Sequence, residues 1–195
     1  MALYELYLSD PLGNRLATLD TFNKLQWTRV ENDLGAFALT FASEQVDWRL
    51  FTVDRRVELW RVLDTGVSRL VRVYFVRRVD RETTERGQAT VTVAGPDLND
   101  ILARRIVAAD AGSAEAEKTD NADDMLKAIV REQLGASAAA ARDYTANGFT
   151  VASDLSLGPS LTKEFSRRNV LQVCQDIALA SYDLGTPLYF DCVSP

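Results

Sequence analysis

The chain has 195 residues, 47% of them hydrophobic and 26% charged, a composition typical of a folded protein with one sizeable core or a compact domain with a smaller attachment. A net charge of −6 excludes a global basic field that would hold nucleic acid. Histidine is absent, which excludes histidine general bases, Ser–His or Cys–His nucleophile pairs and the commonest zinc ligand.

The two cysteines and the N-terminus bear on the cellular compartment. Cys174 and Cys192 lack metal-binding spacing, and we interpret them as small buried hydrophobic residues, with a disulfide as the minor alternative. The N-terminus has no basic segment followed by an apolar run, and no apolar stretch approaches the roughly 20 residues that cross a bilayer. We therefore expect a soluble chain made in the cytoplasm, without membrane insertion.

Residues 1–96 are predicted to form consecutive short strands. Turn residues such as Pro11, Gly13 and Gly66, and a charged turn predicted over residues 80–87, separate segments in which apolar and polar residues alternate. Seven strands are predicted, over residues 4–8, 15–19, 25–28, 37–41, 56–62, 70–79 and 88–94. Strands at this spacing without a long helix between them predict a sandwich or a barrel, and closure into a barrel would remove exposed edges.

The clearest of these elements is a hairpin over residues 25–41. Its two arms carry alternating apolar residues, namely Leu25, Trp27, Phe37, Leu39 and Phe41. The loop 31–35 contains Asn32 and Gly35, which tolerate turn conformations. The pattern predicts a half-buried antiparallel pair, and the polar loop is a candidate for a contact with a subunit or neighbour.

Residues 97–195 are predicted to form a smaller mixed α/β domain. Asp97 is predicted to cap a helix over 98–107, and Asn121 a helix over 122–134 that Gly135 ends. Residues 108–120 are expected to be an exposed loop, and 143–164 to be mostly extended or irregular. A strand is expected to begin at 188–191.

A third helix is the clearest in the chain. Ser166 is predicted to cap it, Phe165 to pack on Val170, and Gly185 to close its end. Its apolar face consists of Val170, Leu171, Cys174, Ile177 and Ala178.

No catalytic, cofactor or metal site is predicted. The acidic segment 120–124 lacks the glycine and the bidentate glutamate of a calcium loop, so a helix cap is the better interpretation. Asp97 and Asp100 suit a solvated first helical turn better than a catalytic pair. The arginine doublets at 55–56, 77–78, 104–105 and 167–168 suit surface or subunit salt bridges better than DNA contacts.

Several segments carry a family resemblance. These are the turn 9–15 after the first strand, the hairpin 27–41, the segment 54–61, Val93–Leu98 before a helix, and Phe165–Leu171 leading into 176–178. In this order they resemble the N-terminal part of siphophage minor tail proteins, the hub-type proteins of the tail tip or baseplate in long-tailed phages and prophages.

The resemblance implies an α+β protein with an N-terminal antiparallel, tail-tube-like β-barrel over residues 1–96 and a mixed α/β domain over 97–195. It implies a non-enzymatic structural protein of the virion tail, made in the bacterial host cytoplasm, which assembles as a ring, commonly a trimer, that continues the tail tube. Implied partners are further copies, the distal tail, tape-measure and tail-fibre proteins, and DNA only in transit. Family members are generally longer and return to a second barrel.

Two other functions stay open on the sequence. One is a β-sandwich module that binds carbohydrate or a receptor through exposed aromatic residues, for which Trp48 and Trp60 are the candidates, although a buried core is the favoured position for each. The other is a hydrolase that uses carboxylates without histidine, such as a cell-wall glycosidase.

Overall fold

The computed structural model describes residues 3–83, 88–108, 116–165 and 167–194. It shows an α+β fold dominated by antiparallel sheets. The chain divides into two compact units. Unit 1 comprises Met1–Val30, Leu34–Leu98 and Cys192–Pro195, and unit 2 comprises Glu31–Asp33 and Asn99–Asp191.

Unit 1 is built from eight strands: β1 (Leu3–Ser9), β2 (Arg15–Thr18), β3 (Lys24–Thr28), β4 (Ala36–Ala42), β5 (Arg56–Val62), β6 (Ser68–Phe75), β7 (Arg78–Thr83) and β8 (Ala89–Pro96). The strands form two four-stranded antiparallel sheets. Sheet I has the order β2-β1-β5-β6, and sheet II has the order β3-β4-β8-β7. A short 3-10 helix, Trp48–Leu50, lies between β4 and β5.

The hydrophobic core of unit 1 draws on both sheets. Its buried residues include Leu6, Leu8, Val57 and Leu59 of sheet I together with Phe37, Leu39, Phe41, Val91 and Val93 of sheet II. In β1, β4, β5 and β8 these core residues are every second one, as the period of two requires. The hairpin prediction is confirmed, because Leu25 pairs with Leu39 and Trp27 with Phe37, and both β3 residues pack against this core.

The chain passes from sheet I into sheet II within two residues. Val76 still exchanges backbone hydrogen bonds with residues 54 and 55 beside β5, whereas the Arg77 N–H already donates to Ala94 O of β8, at 3.0 Å. The predicted single strand over 70–79 is therefore wrong. It is two strands, and β7 continues to Thr83 through residues that the sequence predicted as a turn; residues 84–87 of that predicted turn lie outside the described ranges.

The predicted closed barrel is not what the described residues form. The two sheets are linked at the β6–β7 bend and by an isolated bridge between Tyr74 and Asp97. On the other side, β2 has only four residues, and the chain leaves sheet I at Leu19 and joins sheet II at Asn23. No ladder joins β2 to β3 within residues 3–83, so the sheets stay open there.

Unit 2 contains α1 (Asp100–Ala103), β9 (Ala116–Asn121), α2 (Ala122–Leu134), β10 (Ser160–Phe165) and α3 (Val170–Asp183), with a 3-10 turn at Thr145–Asn147. Strands β9 and β10 pair as an antiparallel ribbon. The predicted bounds of α2 are confirmed, with Asn121 at the N-cap position and Gly135 at the C-cap, but the Asn121 side chain makes no capping hydrogen bond. The predicted apolar face of α3 is buried throughout.

The first predicted helix is wrong. It has one turn, and Asn99 rather than Asp97 occupies the N-cap position. The predicted cap Ser166 of α3 lies outside the described residues, and the cap that the structure shows is Asn169, whose side chain accepts hydrogen bonds from the N–H groups of Leu171 and Gln172. A helix needs one acceptor for these free N–H groups, and Asn169 supplies it.

Two further predictions differ from the structure. The predicted loop 108–120 contains β9 from Ala116 onward, while its residues 109–115 lie outside the described ranges; the segment 143–164, predicted as mostly extended or irregular, contains most of the extended strand β10. Each strand depends on the other for its backbone partners, which local sequence does not reveal. The predicted strand at 188–191 is not formed: these residues have no regular secondary structure and lie outside the two sheets and the ribbon. No helix in the described part of the chain is long and apolar enough to cross a membrane.

Gly95 of β8 lies where the chain bends between the sheets, and a Cβ atom there would be 1.9 Å from the carbonyl oxygen of Phe75. We expect Gly95→Ala to lower the free energy of unfolding by at least about 3 kcal/mol, because the clash is with backbone. Chemical denaturation measures this loss. In the control Gly66→Ala no atom lies within 4 Å, and only its positive φ of 78° adds a cost, about 1 kcal/mol. Equal losses would contradict the packing argument.

Candidate functional site

The polar centre of unit 1 is a buried ion pair. Arg72 of β6 and Asp97, which follows β8, have side chains that are 5% and 0% exposed. The Asp97 Oδ2 atom accepts hydrogen bonds from Arg72 Nη2 at 2.5 Å and Nε at 3.1 Å. The prediction that Asp97 lies in a solvated helical turn is wrong, because its carboxylate is fully buried and pairs with the buried Arg72 guanidinium.

The same carboxylate holds the start of β4. The Gly35 N–H donates to Asp97 Oδ2 at 2.9 Å, and the Asp97 N–H donates to Gly35 O at 3.0 Å. A Cβ atom at position 35 would lie 2.5 Å from both Asp97 Oδ2 and the Thr28 carbonyl oxygen. Glycine is therefore required for the backbone to approach the carboxylate this closely. The cluster joins β3, β4, β6 and the end of β8.

Tyr74 completes the cluster. Its side chain is buried, its ring centroid lies 5.1 Å from that of Phe37, and its hydroxyl donates to Thr28 O at 3.3 Å. Burial raises the pKa of Tyr74, since the phenolate would be desolvated; Arg72 acts in the opposite direction and Asp97 in the same one. Tyr74 therefore stays neutral and acts as a hydrogen-bond donor. The cluster offers no reactive group to solvent, so its role is structural.

The tip of the β3–β4 hairpin makes its contacts within unit 2. Asn32 has a φ of 57°, in the left-handed region that asparagine tolerates. Its side-chain amide donates to Leu188 O at 2.9 Å and accepts from Phe190 N at 2.8 Å. Its carbonyl oxygen accepts from Gln175 Nε2 at 3.0 Å. The loop that the sequence offers as a subunit contact is thus occupied by residues of its own chain.

The acidic segment before and within α2 binds a loop rather than a cation. Asp124, which is 8% exposed, accepts hydrogen bonds from Leu155 N at 3.2 Å, Ser156 N at 3.0 Å and the Ser156 hydroxyl at 2.9 Å. Asp123 accepts from Lys127 Nζ at 2.8 Å and from Leu155 N at 3.2 Å. Within the described residues no group of three or more acidic or cysteine side chains could hold a metal ion.

These hydrogen bonds fix the ionisation of Asp124. Burial by itself raises the pKa of this carboxyl, but the hydrogen bonds from Ser156 and Leu155, together with the charge of Lys127, outweigh burial and leave the pKa below its ordinary value. The folded chain therefore stabilises the ionised form of Asp124. The sequence predicted a helix cap at this segment. It did not predict the tertiary contact between Asp124 and Ser156.

Members of the predicted arginine doublets pair with acidic side chains of their own chain. Ion pairs join Arg77 to Asp54 at 2.9 Å, Arg78 to Asp80 at 2.7 Å, Arg104 to Asp100 at 2.6 Å, and Arg168 to Asp176. Of the remaining described members, Arg55 donates to Leu50 O, Arg105 stacks on Tyr144, Arg56 is half-buried, and Arg167 is exposed. The pattern is that of local charge compensation.

The two candidate aromatic residues for carbohydrate binding have different environments. Trp48 is 41% exposed, and the Arg49 guanidinium lies 5.7 Å from its ring centroid. Trp60 is half-buried, with the Arg15 guanidinium 4.9 Å from its ring and its indole N–H donating to Glu58 at 3.0 Å. Neither residue is in the buried core, so that expectation is wrong for both. The face of Trp60 is already covered by a cation.

The outer strands of both sheets present backbone edges. In sheet I, β2 pairs only with β1 and β6 pairs only with β5; in sheet II, β3 pairs only with β4 and β7 only with β8 within the described ranges. Several edge residues are charged or polar, including Arg15, Lys24, Gln26, Arg78 and Arg81. Charged edges discourage indiscriminate pairing but leave a template for a specific neighbouring strand.

Comparison with known proteins identifies the class of the molecule. Its fold is similar to that of the tail protein from Neisseria meningitidis MC58, with a TM-score of 0.51 and 12% sequence identity over 91% of this chain and 45% of that chain. The chain thus spans less than half the length of that protein. None of the curated protein sequences matches it significantly. The fold and the family model together define a phage tail protein.

The particular family follows from the sequence match. The chain belongs to the family described as Siphovirus ReqiPepy6 Gp37-like protein, whose model matches residues 5–195. The resemblance to phage tail proteins is thereby confirmed at the level of a structural tail component. A place in the virion tail follows from this membership.

Removal of the Asp97 charge tests the buried ion pair. We expect Asp97→Asn to lower the free energy of unfolding by about 3–5 kcal/mol, because the buried Arg72 guanidinium would lose its charged carboxylate partner. Urea denaturation gives the value. The control Asp176→Asn breaks a pair whose side chains are 46% and 38% exposed, and it is expected to cost less than about 1 kcal/mol. Similar losses at the two positions would show that Asp97 has no special role.

Acid sensitivity tests the Asp124 contact. The folded-state pKa of Asp124 is lowered from 3.8, so its ionised form stabilises the fold above that pH, and the contribution disappears as the pH falls through the folded-state pKa. Asp124→Asn should therefore melt at a lower temperature than the wild type at neutral pH, and the difference should shrink in acid. Calorimetry from pH 7 down to about pH 2 measures it. The exposed-turn variant Asp64→Asn is the control, and a difference independent of pH would refute the assignment.

Proposed function

We propose that this tail protein is a structural component of the tail tip or baseplate hub, which self-assembles into a ring that continues the tail tube and lets DNA pass. The observation that carries the proposal is the pair of antiparallel sheets with open outer strands in a chain of a phage tail protein family. In a closed ring each open edge can pair with a neighbouring copy, which satisfies backbone groups that otherwise face water.

The open side of unit 1 supports a tail-tube-like role for residues 1–96. The sheets are continuous at the β6–β7 bend and separate between β2 and β3. Such a half-open arrangement closes most simply when further strands extend the sheets, and copies of the same chain supply them. The mixed α/β domain of residues 97–195 then provides the rest of each subunit. A trimer is the favoured ring.

The charge of the chain also supports the proposal. A net charge of −6 disfavours retention of the phosphate backbone, which a conduit for DNA must release as quickly as it admits it. The role is structural, without catalysis, cofactor or bound metal. The distal tail, tape-measure and tail-fibre proteins are the proposed neighbours in the virion, which assembles after synthesis in the bacterial host cytoplasm.

Two measurements test the proposal together. Sedimentation velocity of the purified protein should show a concentration-dependent oligomer, with three copies as the favoured number, because open strand edges pair by mass action. Mass spectrometry and electron microscopy of purified tails from the phage that encodes the chain should place the protein at the tail tip. Tails washed in high salt are the control for adsorbed protein. A strict monomer that is absent from washed tails would overturn the proposal.

A further inference from the structure

Three pairs of like-charged residues lie directly opposite one another in the strand ladders. Arg61 of β5 pairs with Arg69 of β6, and in the β9–β10 ribbon Glu117 pairs with Glu164 and Lys118 with Lys163. Like charges at directly opposite positions repel and destabilise a sheet. A natural sequence retains such an arrangement at a cost to the isolated chain, unless something else compensates the charges.

One of the three pairs is compensated within the chain. Lys118 Nζ lies 2.6 Å from Glu132 Oε1 on α2, so this lysine has a carboxylate partner. The other two pairs differ in this respect. Arg61, Arg69, Glu117 and Glu164 are all exposed, and the described part of the chain provides no hydrogen-bond or ion-pair partner for any of them. They are an uncompensated arginine pair in unit 1 and an uncompensated glutamate pair in unit 2.

The two uncompensated pairs have opposite charge and matching spacing. Directly opposite residues of antiparallel strands place their Cβ atoms about 5 Å apart, and this distance applies equally to an arginine pair and to a glutamate pair. When one pair lies against the other, each carboxylate can therefore meet one guanidinium, the cation best suited to hydrogen-bond a carboxylate. Both pairs belong to the same chain, so a second copy supplies the complement of each.

We propose that the Arg61–Arg69 pair of one copy binds the Glu117–Glu164 pair of the next copy. The contact is head-to-tail, since it joins two different surfaces, and head-to-tail contacts generate a ring where the rotation closes. This inference rests on the proposed self-assembly and names the surfaces that direct it. Exposed ion pairs contribute little affinity, so these four residues fix the register and orientation of neighbouring subunits.

Single charge reversals separate assembly from folding. Arg69→Glu and Glu164→Arg each replace a repulsive pair by an attractive one within the chain, so both variants should melt at or above the wild-type temperature. Each should nevertheless associate about threefold to tenfold more weakly than the wild type, since one of the two complementary surfaces is neutralised. Calorimetry gives the first quantity, and sedimentation velocity at low salt gives the second.

Double reversals test the pairing between copies. Arg61→Glu/Arg69→Glu has four glutamates at the two surfaces, and Glu117→Arg/Glu164→Arg has four arginines, so neither variant should associate with itself. An equimolar mixture should associate, because each contact between the two variants joins opposite charges; a three-membered ring cannot alternate, so the mixture should form open or even-numbered oligomers. Added salt should weaken the wild-type and mixed assemblies alike. The control Lys24→Glu/Arg81→Glu reverses two exposed unit 1 charges elsewhere and should associate like the wild type.

The outcomes distinguish this inference from the proposed function. If the wild type associates and both double variants associate equally well on their own, the four residues do not direct the contact and this inference fails, while self-assembly stands. If the mixture of folded variants does not associate, the pairing of these two surfaces is likewise refuted. A wild type that stays monomeric at every concentration and salt level refutes this inference, and it overturns the proposed function as well when the protein is absent from washed tails.

Discussion

The buried carboxylate of Asp97 is the constraint on which unit 1 depends. It compensates Arg72, binds the backbone of Gly35, and lies beside Tyr74, so that residues from β4, β6 and the end of β8 meet at one atom. Burial of a charge is expensive, and this geometry is stable only while every partner is present. The cluster therefore specifies the arrangement of the strands more than it adds net stability, since an apolar substitute for such a pair is often equally stable.

The elements that bury one face were predicted correctly from the regular spacing of their apolar residues. The hairpin over 25–41, the bounds of α2 and the apolar face of α3 all followed from alternation or from helical spacing, because each is decided by residues close in sequence. The arrangement of strands into two open sheets did not follow. It depends on the change of sheet at Val76 and Arg77 and on the short β2, and neither has a local signature.

The polar residues were harder to place than the apolar ones. Asp97 precedes a helical segment and resembles a cap, yet its partner Arg72 lies 25 residues earlier. The available signal was Arg72 itself, an arginine within an apolar strand, which implies a buried counter-charge. Asp124 likewise lies in a first helical turn, but its partner Ser156 lies 32 residues further on, across an irregular segment. Long-range polar contacts of this kind leave no periodic trace in the sequence.

The bond between Gly35 and Asp97 spans 62 residues. During synthesis the β3–β4 hairpin leaves the ribosome before Asp97 does. One edge of β4 therefore stays unpaired until β8 has been made. Formation of unit 1 is therefore governed by a late, non-local closure, which is slow relative to formation of a helix. A nascent chain of this design exposes the edge of β4 until β8 is made, and its folding competes with premature pairing of that edge.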